Sequence, residues 1–357
     1  MKNKAGLILA ILLPLQYVAI RIISGYPTFI ENWYSTGLYP YISKIMRFSI
    51  GILPFSFGDL LYTFLIFSII RWIVIRINTR FKNPWKWGIE FFAIFSIIYF
   101  CFHIFWGLNY YRLPLHKTLK IKNTYTTEEL VFLTETLIKR SNEVQRKLMQ
   151  NDSLLVPYNF TKNELLKTTI EGFDFLSDKY PKLAYNGKSL KPSLYSIPLT
   201  YMGFNGYLNP LTNEAQVNTQ IIKYKIPTTA SHEIGHQLGF AKENEANFIA
   251  CLATINHPDL YFRYSGLTFA LRYCLNELYI RDCNKAEQLL KTINFGIFEN
   301  YREVREFWLL HQNPFEPVFQ YTYSGFLKAN NQQGGMKSYS YVVALLVNYF
   351  DDVEHAF

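Results

Sequence analysis

Cysteine is scarce, with four residues in a chain of 357. None of them forms a C-x-x-C pair, so nothing points to a cysteine-rich second metal site. Charge is scarce too: Asp, Glu, Lys and Arg make up 18%, against about 25% in ordinary soluble domains. The formal net charge is +9, yet the chain has no dense basic run with interleaved aromatics. Nucleic acid is therefore not the expected partner. There is no internal repeat and no low-complexity tract. No small-x-small cleavage site follows the first apolar segment, where the chain continues Ser24-Gly25-Tyr26-Pro27. That segment reads as an uncleaved span, not a secretory signal.

What the chain has in excess is apolar and aromatic. Half of it is hydrophobic, with 30 Phe and 27 Tyr. The apolar excess collects in the first 110 residues, which predicts a membrane anchor over 1–110 and a soluble unit over 111–357. Three spans are expected, over 5–23, 55–75 and 87–108. Each has about 20 residues, enough to cross a ~30 Å hydrocarbon layer. Lys2 and Lys4 precede the first span, and Arg71, Arg76, Arg80, Lys82 and Lys86 cluster where the second meets the third. The positive-inside rule puts both groups in the cytoplasm and everything after about Tyr110 outside it. Arg21 is an exception on the outer side. Trp33, Tyr34, Tyr39 and Tyr41 suit an interfacial loop between spans one and two. His103, near the outer end of span three, is given no role.

The remainder reads as α+β. Thr126 and Glu129 form a capping box that opens one helix, and Thr161 and Glu164 open another running to about Tyr180. Short strands are expected at 193–197, 202–208 and 214–219, separated by turn residues such as Asn209-Pro210. A motif helix follows, then further helices over 266–281 and 285–292 and a short buried one at 339–347.

The motif is His232-Glu233-Ile234-Gly235-His236. On a helix, i and i+4 share a face, so the two histidines can present ring nitrogens to one metal ion. Glu233 lies one residue further round, where a general base would reach water activated by that ion. The competing interpretation is a surface helix whose histidines and glutamate are merely solvated. A catalytic zinc site normally has three protein ligands and one open position. A third histidine six residues after the motif is excluded, because position 242 is Lys. Two glutamates follow, Glu243 and Glu245. Glu245 shares a face with Phe248, Ile249 and Leu252, an inward stripe, and is favoured; Glu243 shares one with Ala246, Asn247 and Ala250 and is more ambiguous. Tyr264, with His257 behind it, is the candidate donor to a developing oxyanion. Cys274 and Cys283 are either a disulfide or two reduced thiols.

Asn244-Glu245-Ala246 resembles the third-ligand helix of gluzincin metallopeptidases, with eight residues between His236 and Glu245. The short spacing is similar to that of compact gluzincins such as the immunity-repressor peptidases. In gluzincins an extended strand beside the motif helix pairs with substrate. Residues 201–208 are placed to do this, with Gly203, Phe204, Asn205 and Gly206 as the expected substrate contacts. Across nearly its whole length the chain resembles a bacterial membrane family, domain of unknown function 3810. The resemblance rests on the three spans, Pro54-Phe55-Ser56-Phe57-Gly58-Asp59, Glu214-Ala215-Gln216-Val217-Asn218, the motif with Glu243-x-Glu245-Ala246-Asn247-Phe248, Phe262-Arg263-Tyr264-Ser265-Gly266 and Lys337-Ser338-Tyr339.

The resemblance implies a multi-pass protein of the bacterial inner membrane with a periplasmic gluzincin-like domain. The residues read above add one Zn2+ held by His232, His236 and Glu245, with Glu233 as base, and a peptide or protein substrate near the bilayer. The alternative is a non-catalytic zinc-containing sensor or envelope assembly factor. Glu233 favours the enzyme, since a structural site has no use for a base. Hydrolysis of a cell-wall peptide or another amide is a further option within the enzyme class.

Overall fold

A computed structural model describes residues 2–187 and 189–350, without the side chains of 2, 3 and 338–340. The Lys2 side chain, most of Lys337-Ser338-Tyr339 and the end of the 111–357 unit thus lie outside the described residues. Three helices are long and apolar enough to cross a membrane: α1 (Lys2–Ile23), α4 (Phe57–Asn78) and α5 (Pro84–Phe105). Local chemistry sets their ends. The Ser56 hydroxyl caps α4 by accepting from Asp59 N–H, and Pro84 sits at the start of α5, where a missing N–H costs nothing. Gln16 donates to Ser96, tying α1 to α5, and Arg76 pairs with Glu90, tying α4 to α5.

The segment between the first two of these helices is not a simple loop. It holds α2 (Pro27–Phe29), a π-helical stretch (Ile30–Leu38) and α3 (Tyr39–Ser49). After α5 come a 3-10 turn (Gly107–Tyr111) and α6 (Leu115–Leu119). Both capping boxes form, at α7 (Thr127–Met149) and α8 (Lys162–Thr169). The helix expected to run to Tyr180 is instead broken at Ile170, with α9 (Glu171–Lys179) following. Just after the break α9 passes against another backbone: a Cβ at Gly172 would lie 2.4 Å from the Ala253 carbonyl.

The sheet is small and shifted from the expected positions. β1 covers Leu190–Pro192, and α10 (Ser196–Met202) occupies much of the predicted strand region. Serine chemistry turns the chain. Ser193 Oγ accepts from Tyr195 N–H, and the Ser193 carbonyl accepts from the Ser196 amide and hydroxyl, a local alternative to a ladder. Gly203, at φ +80°, ends α10, which leaves only Gly206–Asn209 as β2. β3 (Glu214–Val217) is central in the order β1-β3-β2, parallel to β1 and antiparallel to β2. Its alternating pattern suggests one wet face, yet all four residues are buried. Val217 joins the main core. Glu214 and Gln216 instead meet the start of α4: Glu214 accepts from the Phe57 and Gly58 amides and pairs with Lys191 Nζ at 2.7 Å. The Gln216 amide nitrogen, turned toward the carboxylate, donates to Asp59.

Helices complete the body: α11 (Ile226–Gln237), α12 (Glu243–Ile255), α13 (Leu260–Arg281), α14 (Cys283–Leu290), α15 (Phe295–Leu310), α16 (Glu316–Ala329) and α17 (Val342–Phe350). The main core joins α7, α11, α12, α13 and α17 through Leu133, Leu137, Ile234, Phe248, Leu271 and Leu346. A second, smaller cluster holds Ile30, Tyr34, Tyr39, Trp106 and Tyr110 and packs around the end of the motif helix. All four cysteines are free: Cys274 is buried in α13, whereas Cys283 opens α14 on the surface. The disulfide option therefore falls.

Candidate metal centre

The motif helix α11 starts at Ile226 with Pro227 in its first turn and stops at Gly239, whose φ is +89°. A side chain at Gly239 is barred by more than its backbone angle, because a Cβ would lie 2.9 Å from the Tyr39 ring. The last carbonyls of a helix have no partner within it. Here partners arrive from the N-terminal third of the chain. Trp106 Nε1 donates to the His236 carbonyl at 3.0 Å, Tyr39 and Ser43 hydroxyls donate to that of Gln237, and Arg112 Nη1 donates to that of Gly239. Arg112 also grips Glu31 with two hydrogen bonds of 2.8 and 2.9 Å, and both side chains are buried. A cation at the negative end of the helix dipole is a further stabilising contact.

His232 and His236 lie one turn apart with their rings edge to face, centroids 4.6 Å apart. Their Nε2 atoms converge on Glu243 Oε2, at 3.1 and 3.5 Å. These three donor atoms lie within 4.8 Å of one another. The structure thus brings Glu243 to the histidines where the sequence reading expects Glu245. Residues two apart on a helix point about 200° apart, so the two glutamates of α12 face opposite ways. Glu245 Oε1 accepts from the Leu115 amide at 2.8 Å and lies 3.9 Å from Lys242 Nζ, pinning α6. Inwardness does not discriminate between them, because α12 is buried along its whole length. The usable signal is Asn247, one turn after Glu243 on the same face: its Oδ1 lies 2.8 Å from His232 Nδ1.

The ring nitrogens carry a further implication. His236 Nδ1 faces the Phe240 carbonyl at 2.7 Å, to which it can only donate. Neutral His236 therefore presents a lone pair at Nε2, directed at a carboxylate oxygen. Acceptors facing acceptors in a buried pocket require a cation between them, a proton or a metal ion. Proton affinity reports the same demand. Burial opposes charge on His236, but the Glu243 carboxylate outweighs it and lifts the pKa to about 9. Burial also opposes charge on Glu243, yet the His236 and His232 rings hold its carboxyl well below the usual range. Two imidazoles and one carboxylate, each imidazole oriented through its other nitrogen, fit the donor preferences of Zn2+.

Glu233 is 4% exposed, and its Oε2 has no hydrogen-bond partner among the described residues. Burial raises its pKa to about 7, against the downward pull of His232 and His236. Beside it runs β2. A Cβ at Gly206 would lie 3.0 Å from Glu233 Oε1 and 2.6 Å from the Gln216 carbonyl, so only glycine fits. Of the other expected substrate contacts, Phe204 packs edge-on against Tyr323, whose hydroxyl donates to Glu243 Oε1 at 2.7 Å. Asn205 is held by its carbonyl, which accepts from Asn218 N–H. Gly203 ends α10 beside Glu316. Tyr323 is a site residue that sequence reading missed; one tyrosine among 27 carries no local signature.

Tyr264 and His257 are not brought to the histidines. Tyr264 is fully buried in the helical core, donating to Asn300 Oδ1 at 2.8 Å and packing on Tyr224. His257 stacks on Phe262 and bonds the Thr168 carbonyl through Nε2. Both serve α13 and its neighbours, so the role of oxyanion donor passes from them. No curated protein and no solved structure matches the chain. A family model described as Protein of unknown function (DUF3810) matches residues 34–347, more than half of the chain, and the protein belongs to that family.

Proposed function

We propose that this protein is a membrane-anchored, zinc-dependent metallopeptidase. One observation carries the reading: His232 Nε2, His236 Nε2 and Glu243 Oε2 converge within 4.8 Å, with the buried Glu233 alongside. A Zn2+ held by His232, His236 and Glu243 would supply Lewis acidity and lower the pKa of a nearby water. Glu233 takes the proton from the attacking water and returns it to the leaving amine. Asn247 and the Phe240 carbonyl hold the two imidazoles in orientation, and the Tyr323 hydroxyl steadies Glu243. β2 lies at the edge of the sheet, the position at which an extended polypeptide adds to a sheet, with Gly206 allowing close approach to Glu233.

The three long apolar helices support a multi-pass membrane protein. Arg76, Arg80, Lys82 and Lys86 lie at the ends of α4 and α5 away from Asp59 and Trp106, where the folded body docks. By the positive-inside rule the body then stands outside the cytoplasm, on the periplasmic side of a bacterial inner membrane.

The test is metal analysis of the full-length protein alongside cleavage of a peptide mixture read by mass spectrometry. Wild type, Glu233→Gln and Glu245→Gln should each retain one zinc per chain, and Glu243→Ala should lose it. Cleavage should fall roughly 10²–10⁴-fold in Glu233→Gln. Full zinc in Glu243→Ala would remove the proposed ligand set. Zinc retained by wild type with no cleavage of any peptide would favour the non-catalytic sensor.

A further inference from the structure

An apolar surface on the body lies between the outer ends of two of the long helices. On one side, the Tyr195 hydroxyl meets Thr63 and the Asp59 carbonyl, and Tyr207 stacks on Tyr62. Thr63 is six residues inside α4, so contact with the body continues more than a turn past the start of that helix. On the other side, Phe326 of α16 packs edge-on against Phe102 in the last turn of α5. Between these contacts α10 and α16 are joined: Asn313 donates to the Tyr201 carbonyl, and Tyr201 packs on His311. The side chains that α10, α16 and the turn before α16 turn outward include a large apolar share, interspersed with Gln312, Gln320, Thr322 and Lys328. Ile197 is 62% exposed, Val318 60% and Phe315 70%, with Leu194, Tyr201 and Phe319 also exposed, and Leu310, the last residue of α15, is 82% exposed.

We infer that this α10–α16 surface is seated in the membrane interface beside α4 and α5, with lipid as its partner. Three observations favour lipid over a protein partner. The surface is continuous with two helices that are themselves long and apolar enough to span. Its aromatic content, Tyr201, Phe315, Phe319 and Tyr321, suits the headgroup level. A second apolar surface accompanies it: Trp33, Tyr41, Ile45, Phe48 and Ile52 are exposed on the segment between α1 and α4. An exposed patch of this extent on a water-facing body would be an aggregation liability. The Tyr323–Glu243 hydrogen bond then links the lipid-seated helix directly to the His232–His236–Glu243 cluster. The seating rests on the fold alone and holds whether or not the cluster binds zinc.

The experiment uses the full chain in phosphatidylcholine–phosphatidylglycerol vesicles, with Cys101 and Cys283 replaced by Ser. Nitroxide labels are placed singly at Ile197→Cys, Val318→Cys, Ile69→Cys within α4 as the lipid control and Ile280→Cys on α13 as the aqueous control. Relaxation by oxygen should exceed that by a water-soluble nickel chelate at 197 and 318, as at 69, and the reverse should hold at 280. Nickel accessibility at 197 and 318 equal to that at 280 would overturn the seating. Exclusion of both reagents would do so too, because it would mean a covering protein segment or a second copy. No arm depends on metal or turnover, so this result and the zinc analysis can fail separately.

Discussion

The helical core around α13 and the collar around the end of α11 are built differently. The core is mostly apolar, and Leu133, Leu137, Phe248, Leu271 and Leu346 interlock there by shape and burial, with neutral hydrogen bonds such as Tyr264 to Asn300 among them. The collar has a small apolar cluster and many buried polar contacts: Arg112 with Glu31, Lys191 with Glu214, Asp59 with Ser193 and the Leu194 amide, and Tyr39 with Gln237. Burial is non-directional and tolerates volume-conserving change. Buried ions tolerate no loss of a partner, since the survivor is left uncompensated in low dielectric. The His232–His236–Glu243 cluster stands where the two regions meet. Its histidines ride on a helix whose apolar side belongs to the core and whose terminal carbonyls belong to the collar. The segments expected to be only an anchor therefore help hold the site.

The largest effect that would break this comparison comes from cutting the chain at the expected boundary. Residues 111–357 expressed alone should fail to give a monodisperse, zinc-binding protein by size-exclusion chromatography and metal analysis. A well-folded, zinc-loaded fragment would show that the collar is dispensable. Next, Arg112→Ala should lower stability by about 3–5 kcal/mol, because it strands Glu31. Denaturant unfolding of the full chain in detergent should show the shift, and zinc retention should weaken with it. Asn247→Ala removes the partner of His232 Nδ1 without touching a ligand, and should weaken zinc binding about 10–100-fold in a chelator competition. At the smallest end, Ile138→Val in the core should cost about 0.5–1.5 kcal/mol and leave zinc affinity unchanged. A larger loss of zinc from Ile138→Val than from Arg112→Ala would reverse the ranking of the two regions.

Sequence reading was most effective where a local rule governs. The long apolar helices fall within a few residues of their expected positions, and the Thr126 and Thr161 caps form as the spacing predicts. His232 and His236 share a face because helical geometry leaves no other arrangement. It was least effective where a partner distant in the chain decides. Ser193–Ile197 has strand-like composition, but its serines turn the backbone into α10. β3 alternates as though one face were wet, but the start of α4 covers that face. Tyr264 stands in a recognisable stretch, yet its hydroxyl is claimed by Asn300, 36 positions away.

The two glutamates of α12 separate the two kinds of information most sharply. The sequence alone determines a helix with His at i and i+4, a glutamate beside them and further acids within reach, because hydrogen bonding at 3.6 residues per turn is a local property. Which acid completes the cluster is decided by how α12 is rotated against α11. That rotation is set by contacts between elements: Leu115 capturing Glu245, Tyr323 meeting Glu243, and Ala246 packed against Gly235. These contacts join α12 to other elements, two of them far away in the chain, and no periodicity within α12 encodes them.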